Sequence, residues 1–406
     1  MQGMTAQEPP QRASAWKVFR VFLGLGLVSF GGPIAHLGYF RDEFVARRQW
    51  LTDGAYAELV ALCQFLPGPA SSQVGMAIGV SQAGLRGAVA AWCGFTLPSA
   101  LLMVLFALGL MHWGDVLPAD SLHGLKWVAV AVVAQAVWAM ARMFCVDAPR
   151  VLVALAATVI VVWWPHAWVH WAVIVLGAVA GLLLRRSPSP TAADGINMPL
   201  QARIASMLLV LFFVLLLLLP FAARDSMVPA VQVFDAFYRT GALVFGGGHV
   251  VLPLLQAEVV APGWIGVNEF LAGYGMAQAL PGPLFAFSAY LGAAMSAGPG
   301  GWVGGALCLV AIFLPSFLLI VGVLPFWSRL RGRRGVQAAL AGVNAVVVGL
   351  LLAALYDPLW TTAVRDWRDM AWIAVGVVML MWARLPPWLV VLVLGVCGVG
   401  LAWLSA

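Results

Sequence analysis

Charge is what this chain lacks. Of its 406 residues only 9% are Asp, Glu, Lys or Arg, where a soluble domain averages about 25%. So few charges cannot cover the surface of a large soluble core. Hydrophobic residues make up 63%, and the mean hydropathy is +0.96. Strand-period alternation of apolar and polar residues is also missing, which excludes a membrane β-barrel. Helices remain, because only they can satisfy their own backbone polar groups in hydrocarbon. No G-x-x-x-x-G-K-[ST] occurs, so the drive for any transport is an ion gradient or the membrane potential. None of the six histidines stands in an H-E-x-x-H arrangement, and none of the five cysteines in C-x-x-C. Cys63, Cys93, Cys145, Cys308 and Cys397 read as small apolar fillers. No cofactor and no metal is expected. The net charge of +6 does not point to nucleic acid, because the basic residues lie at the ends of apolar runs, as topology determinants do.

What is present is a broken membrane chain. Several runs reach the roughly 20 apolar residues of a spanning helix. Residues 1–15 are polar and show no clear cleavage site, so the first apolar run is expected to stay uncleaved, in a bacterial inner membrane. That run, Trp16 to Phe30, breaks at Gly31-Gly32-Pro33. A polar stretch from Arg41 to Arg48 follows, where Arg41 and Glu43 are expected to pair in a solvated loop. The arm Ala55–Phe65 then meets Leu66-Pro67-Gly68-Pro69 and a second arm runs to Val80. Apolar runs cover 87–111, 124–144, 151–164 and 167–184. A Pro- and Ser-rich link reads as a loop, and residues 204–223 form a very apolar helix with no counterpart elsewhere.

The second half repeats the first. Phe30-Gly31-Gly32 matches Phe245-Gly246-Gly247, Trp50 matches Trp264, and Gln64 matches Gln278. Pro67-Gly68-Pro69 returns as Pro281-Gly282-Pro283, Leu97-Pro98-Ser99 as Leu314-Pro315-Ser316, and Gly124 as Gly342. Charge gives the relative orientation. The loop 41–48 holds three arginines, while its repeat at 256–264 holds no Arg or Lys. Arg86 follows the first broken hairpin, and its repeat, Ser296 to Gly301, has no basic residue. Conversely, 112–121 has Asp115 and Asp120 but no Arg or Lys, and its repeat contains Arg329, Arg331, Arg333 and Arg334. Basic loops stay cytoplasmic, so the two halves face opposite ways. Halves that each cross an even number of times need a connector to invert, and 204–223 supplies it.

The expected fold is therefore an all-α polytopic membrane protein of two inverted-topology repeats joined by a connector transmembrane helix. The repeats are 16–184 and 224–406, with the loop and connector at 185–223. In each half two segments are broken or re-entrant and four span, whereas plain hydropathy counts six, one and six. Either count leaves the N-terminus cytoplasmic and the C-terminus periplasmic. Arg365 and Arg368 then fall on the outer side against the rule, accompanied by Asp357, Asp366 and Asp369.

Non-helical backbone survives in hydrocarbon only where protein buries it or where it lines a polar cavity. After Pro67-Gly68-Pro69 a new helical arm begins with Ala70-Ser71-Ser72-Gln73. Its first N–H groups have no intrahelical partner and carry partial positive charge, and Ser71, Ser72 and Gln73 add neutral donors. That is an anion site at mid-membrane, where inverted-repeat transporters place theirs. The matching stretch Leu284-Phe285-Ala286-Phe287-Ser288 offers only Ser288, so the site is expected to be asymmetric. The plain alternative for Pro-Gly-Pro is a kink between packed helices. His36 and His249 lie just beyond the two glycine breaks, as hydrogen-bonded fillers or as ligands. Gly31, Gly32 and Pro33, with Gly246, Gly247 and Gly248, allow close backbone approach. Arg239 lies seven residues before Gly246, deep enough to need a cavity, a partner or a path to the interface, and it could attract a dianion. Lys126 is expected to snorkel. Glu58 and Glu258 are weaker candidates for the cavity.

These residues resemble the chromate ion transporter family. The likeness runs from Phe30-Gly31-Gly32-Pro33-Ile34-Ala35-His36-Leu37-Gly38-Tyr39-Phe40 through Glu43-Phe44-Val45, Trp50-Leu51, Gln64-Phe65-Leu66-Pro67-Gly68-Pro69 and Ser71-Ser72-Gln73. It returns at Phe245-Gly246-Gly247-Gly248-His249 and Gln278-Ala279-Leu280-Pro281-Gly282-Pro283, as in the long, two-domain members. The resemblance implies export of chromate across the inner membrane and chromate resistance. Sulfate, a tetrahedral dianion of similar size, is the look-alike that donors reading charge and shape do not separate. A membrane-embedded reductase or lipid-phosphate hydrolase would need a cofactor motif or an acid–histidine cluster. A passive channel would show neither saturation nor counter-ion dependence. The oligomeric state stays open, a homodimer included.

Overall fold

The computed structural model describes residues 13–113, 121–164, 166–184, 201–245, 247–327 and 333–405. Asp115, Asp120, Arg329, Arg331 and the link at 185–200 therefore lie outside the described residues, as does Gly246.

The first half opens with α1 (Ala15–Val28), whose N-terminus is capped by Ser14 Oγ accepting from Lys17 N. Next come α2 (Gly32–Arg41), running on into a π-turn at Asp42–Arg47, and α3 (Asp53–Phe65), capped by Thr52. At 1.5 Å per residue, α1 and α3 extend about 20 Å, short of the ~30 Å hydrocarbon layer. Then α4 (Ala70–Trp113) carries an internal break at Ala83 and Gly84, just past the expected end of the second arm. α5 (His123–Phe144), α6 (Ala148–Trp163) and α7 (Ala167–Leu184) complete the half.

The connector is α8 (Ala202–Arg224). Leu217, Leu218 and Phe221 are 62%, 60% and 69% exposed, so much of its surface is left for lipid. Its inner face packs on α9 (Pro229–Leu243) and α13 (Gly301–Val323), where the buried Tyr238 hydroxyl donates to the Phe212 carbonyl at 3.0 Å. Between them lie a short turn at Gly248–Val250, α10 (Val251–Leu255), a second π-turn at Gln256–Val260, α11 (Val267–Ala277) and α12 (Phe287–Ala294). α14 (Arg334–Ala354), α15 (Trp367–Met381) and α16 (Pro387–Ser405) close the chain. No strand occurs among the described residues, and five helical stretches are long and apolar enough to cross a membrane.

The halves are interlocked rather than set side by side. α5 packs against α15 and α16, while its repeat α14 packs against α6 and α7. Glycine makes both crossings possible: a Cβ on Gly124 would overlap the backbone of Leu394, and one on Gly342 that of Gly177. Each half thus lends its last two helices to the other.

Polar side chains correct two expectations. Lys126 does not snorkel: it is 4% exposed, and its Nζ donates to Asn268 Oδ1 at 2.7 Å, tying α5 to α11. Arg41 and Glu43 do not pair with each other. Arg41 reaches Asp53 at 2.8 Å, and Glu43 accepts from Arg47 and Arg48 at 2.7 and 2.6 Å. The π-turn draws Glu43 back onto the arginines that follow it, and Thr52 starts α3 with Asp53 in reach of Arg41.

Candidate anion site

Four chain breaks meet at one place. α1 ends at Val28, and the chain turns through Gly31 (φ 99°) and Gly32 (φ 76°), conformations that favour glycine. Pro33 stands in the first turn of α2, and His36 one turn on is 1% exposed. Its Nε2 lies 3.1 Å from the Ser29 carbonyl oxygen, which can only accept, so Nε2 carries the proton of the neutral ring. Nδ1, 3.3 Å from Ser71 Oγ, then accepts from that hydroxyl. His36 therefore ties the first break to the start of α4, and the proton of Ser71 is committed to it.

The Pro67-Gly68-Pro69 break is held from the other half. Gly68 (φ 121°) donates its N–H to the Val244 carbonyl at 2.6 Å, and a Cβ on it would overlap the Ser316 hydroxyl. Gln73 braces the turn, its Nε2 donating to the Pro67 carbonyl at 2.7 Å. The backbone of Gln73 donates to Pro69 O at 3.0 Å, which leaves the N–H groups of Ala70, Ser71 and Ser72 at the open end of α4.

The second Pro-Gly-Pro mirrors this. Gly282 (φ 97°) donates to the Ser29 carbonyl at 2.9 Å, and a Cβ there would come within 2.7 Å of Ser99 Oγ. Ser29 and Val244 hold matching positions, as do Ser99 and Ser316. Each Pro-Gly-Pro thus docks on the Phe-Gly-Gly and Leu-Pro-Ser motifs of the opposite half. The two glycine breaks also touch, with Gly248 facing Pro33. The second copy differs beyond its break. Pro281, Gly282 and Pro283 lead through a 3-10 turn at Leu284–Ala286 before α12 begins, and the Ser288 hydroxyl donates to Phe285 O at 2.8 Å. Gly247 (φ 146°) opens the turn before His249, whose Nδ1 meets the Tyr274 hydroxyl at 3.0 Å.

Around these breaks, buried polar atoms stand without partners: Ser29 Oγ, Ser72 Oγ, Gln73 Oε1, Thr96 Oγ1, Gln278 Nε2 and Ser316 Oγ. An unpaired buried polar group costs about 1–3 kcal/mol, so such a gathering points to a ligand. Five of the six can donate, and Gln73 Oε1 can only accept. Gln64, unlike its counterpart Gln278, is exposed. Arg239 stands apart from the donors. Its Nε donates to Asp235 at 2.9 Å and its two terminal nitrogens to Glu258 at 2.6 and 3.0 Å, so two carboxylates outweigh the charge expected to draw a dianion.

The model of the chromate transporter family matches residues 16–182 and again residues 231–399. The chain belongs to the chromate transporter family. Among chromate transporters, the chromate transport protein of Pseudomonas aeruginosa is 29% identical over 376 residues, covering 89% of this chain and 85% of the relative. A probable chromate transport protein of Synechococcus elongatus is 27% identical over 401 residues, 93% of each chain. An uncharacterized transporter of Methanocaldococcus jannaschii is 25% identical over 353 residues, 85% of each. No solved structure matches the chain. In this transporter the donors of Ser29, Thr96 and Ser316 escape a sequence reading. Leu-Pro-Ser is visible there as a repeated landmark, but which half it serves is a tertiary fact.

Proposed function

We propose that the chain is a secondary transporter that exports chromate across the bacterial inner membrane and so confers chromate resistance. The dianion rests at mid-membrane where the crossed breaks meet, held by the open N-terminus of α4 and by hydroxyl and amide donors of both halves. The observation that carries this reading is the cluster of partnerless buried donors at those breaks. No cation is needed in such a seat, because oriented neutral donors in a dry site stabilise an anion without the desolvation cost of a buried ion pair. The charge bias of the loops supports opposite orientation of the halves, with the N-terminus cytoplasmic and the C-terminus periplasmic. Rocking of the interlocked halves about the seat then opens it to one side at a time. A negative interior favours outward movement of a dianion by about 2.3 kcal/mol per charge per 100 mV.

Chromate uptake into everted membrane vesicles, with and without the protein and with excess sulfate in a parallel set, tests this. Energised, protein-dependent uptake that sulfate barely inhibits is expected. Equal or better sulfate uptake would replace the substrate, and no flux of either would overturn the transport reading.

A further inference from the structure

One charged cluster inside the protein is not electrically balanced. Arg239 on α9 is shared by Asp235, one turn earlier, and by Glu258 on the π-turn, which lies beyond the glycine break. Both oxygens of Glu258 accept from the guanidinium in a two-pronged pair, the stronger geometry. Asp235 uses only Oδ2; its Oδ1 is buried without a partner, and the residue is 4% exposed. Two carboxylates against one guanidinium leave a surplus negative charge, and that charge falls on Asp235. A buried carboxylate in this position is neutralised rather than left ionised.

Among the described residues few other charges are near enough to balance it. Of the elements packed on α9, α10 carries no titratable side chain, and α13 only Cys308, which lies against Gly292. α8 has Arg203 and Arg224 only in its first and last turns. Tyr238 on α9 already donates to Phe212. From the first half, α7 brings His170, whose Nδ1 lies 3.3 Å from the His166 carbonyl. His170, Thr240 and Glu258 line a small cavity with room for about one water molecule. The buried Thr240 hydroxyl there is without a partner.

We propose that this cluster is a proton-binding site, with the proton carried on Asp235, and that its occupancy is coupled to movement of the anion. The coupling rests on the chromate-transport reading above; the proton site does not. A proton taken up by Oδ1 makes Asp235 a neutral acid and leaves Arg239 wholly to Glu258. Its release makes the guanidinium shared again. Arg239 precedes the glycine break and Glu258 follows it, so the pair clasps the hairpin shut. Val244, five residues after Arg239, holds the Gly68 N–H of the anion seat. A change in the clasp therefore reaches the seat through about a turn and a half of helix.

Two readouts on the purified full-length protein test this. In infrared difference spectra across a pH titration, wild type should show the carbonyl stretch of a protonated carboxylic acid, and D235N should lack it. An unchanged band in D235N, or no such band in wild type, would overturn the proton site whether or not chromate moves. In proteoliposomes, an acid lumen should stimulate wild-type chromate uptake roughly fivefold or more. D235N, fixed in the neutral state, should show no stimulation while chromate–chromate counterflow persists. A gradient-stimulated D235N would overturn the coupling. Absence of all wild-type chromate flux would count against the proposed function instead, and the infrared result would still decide the proton site.

Discussion

At the scale of single residues, hydroxyls free to donate stand beside others already spent. Ser72 and Ser316 have buried hydroxyls without partners, whereas Ser288 donates to Phe285 and Ser71 faces His36. A hydrogen bond to a charged group contributes about 1.5–3 kcal/mol, so S316A should raise the KM for the anion by roughly ten- to a hundredfold. S288A should leave KM unchanged, as initial uptake rates against anion concentration would show. Arg239 yields a second contrast, in stability. Removing it strands two carboxylates, and R239A should destabilise the protein by roughly 3–5 kcal/mol, seen as a lower Tm in detergent. Arg239 was legible in the sequence as a residue needing a partner. Asp235, four residues earlier, stands at the helix spacing of a neighbour, but Glu258 was not legible, because it reaches Arg239 only once the glycine break has folded the chain back. Lys126 misled for a related reason: position near a helix end suggests snorkelling, but Asn268 comes from the opposite half.

At the scale of elements, the broken arms were legible because glycine and proline inside apolar runs have few other uses. The bounds follow the punctuation closely: α3 ends at Phe65, α4 starts at Ala70, and α8 covers the apolar stretch without a repeat. The π-turns were not legible. They carry Glu43 and Glu258 at matching places, yet no residue type marks a π-turn as Gly and Pro mark a break. Helix exchange was equally invisible, since it depends on which glycine faces which helix. It has a measurable consequence. G342A should push α14 off α7 and cost about 1–3 kcal/mol. G24A, with open space around it, should be neutral or slightly stabilising through helix propensity. Thermal unfolding of the two variants in detergent gives the comparison.

At the scale of the whole molecule, each half holds the other's Pro-Gly-Pro break, so the proposed anion seat needs both halves. The repeat was readable from landmarks in constant order, and loop charge predicts opposite orientation of the two halves. Orientation has a direct check. Ala46 and Ala261 sit in exposed positions of the two matching π-turn regions. A membrane-impermeant maleimide applied from outside should label A261C and spare A46C, and everted vesicles should reverse this; labelling of both from one side would mean parallel halves. The proposed anion seat is shared between the halves. Chromate uptake kinetics of S72A, S316A and the double variant test it most directly, with S288A as reference. Each single change, one in each half, should raise KM roughly tenfold or more, the double should not be simply additive because both donors serve one anion, and S288A should match wild type. Wild-type KM in both S72A and S316A would contradict it.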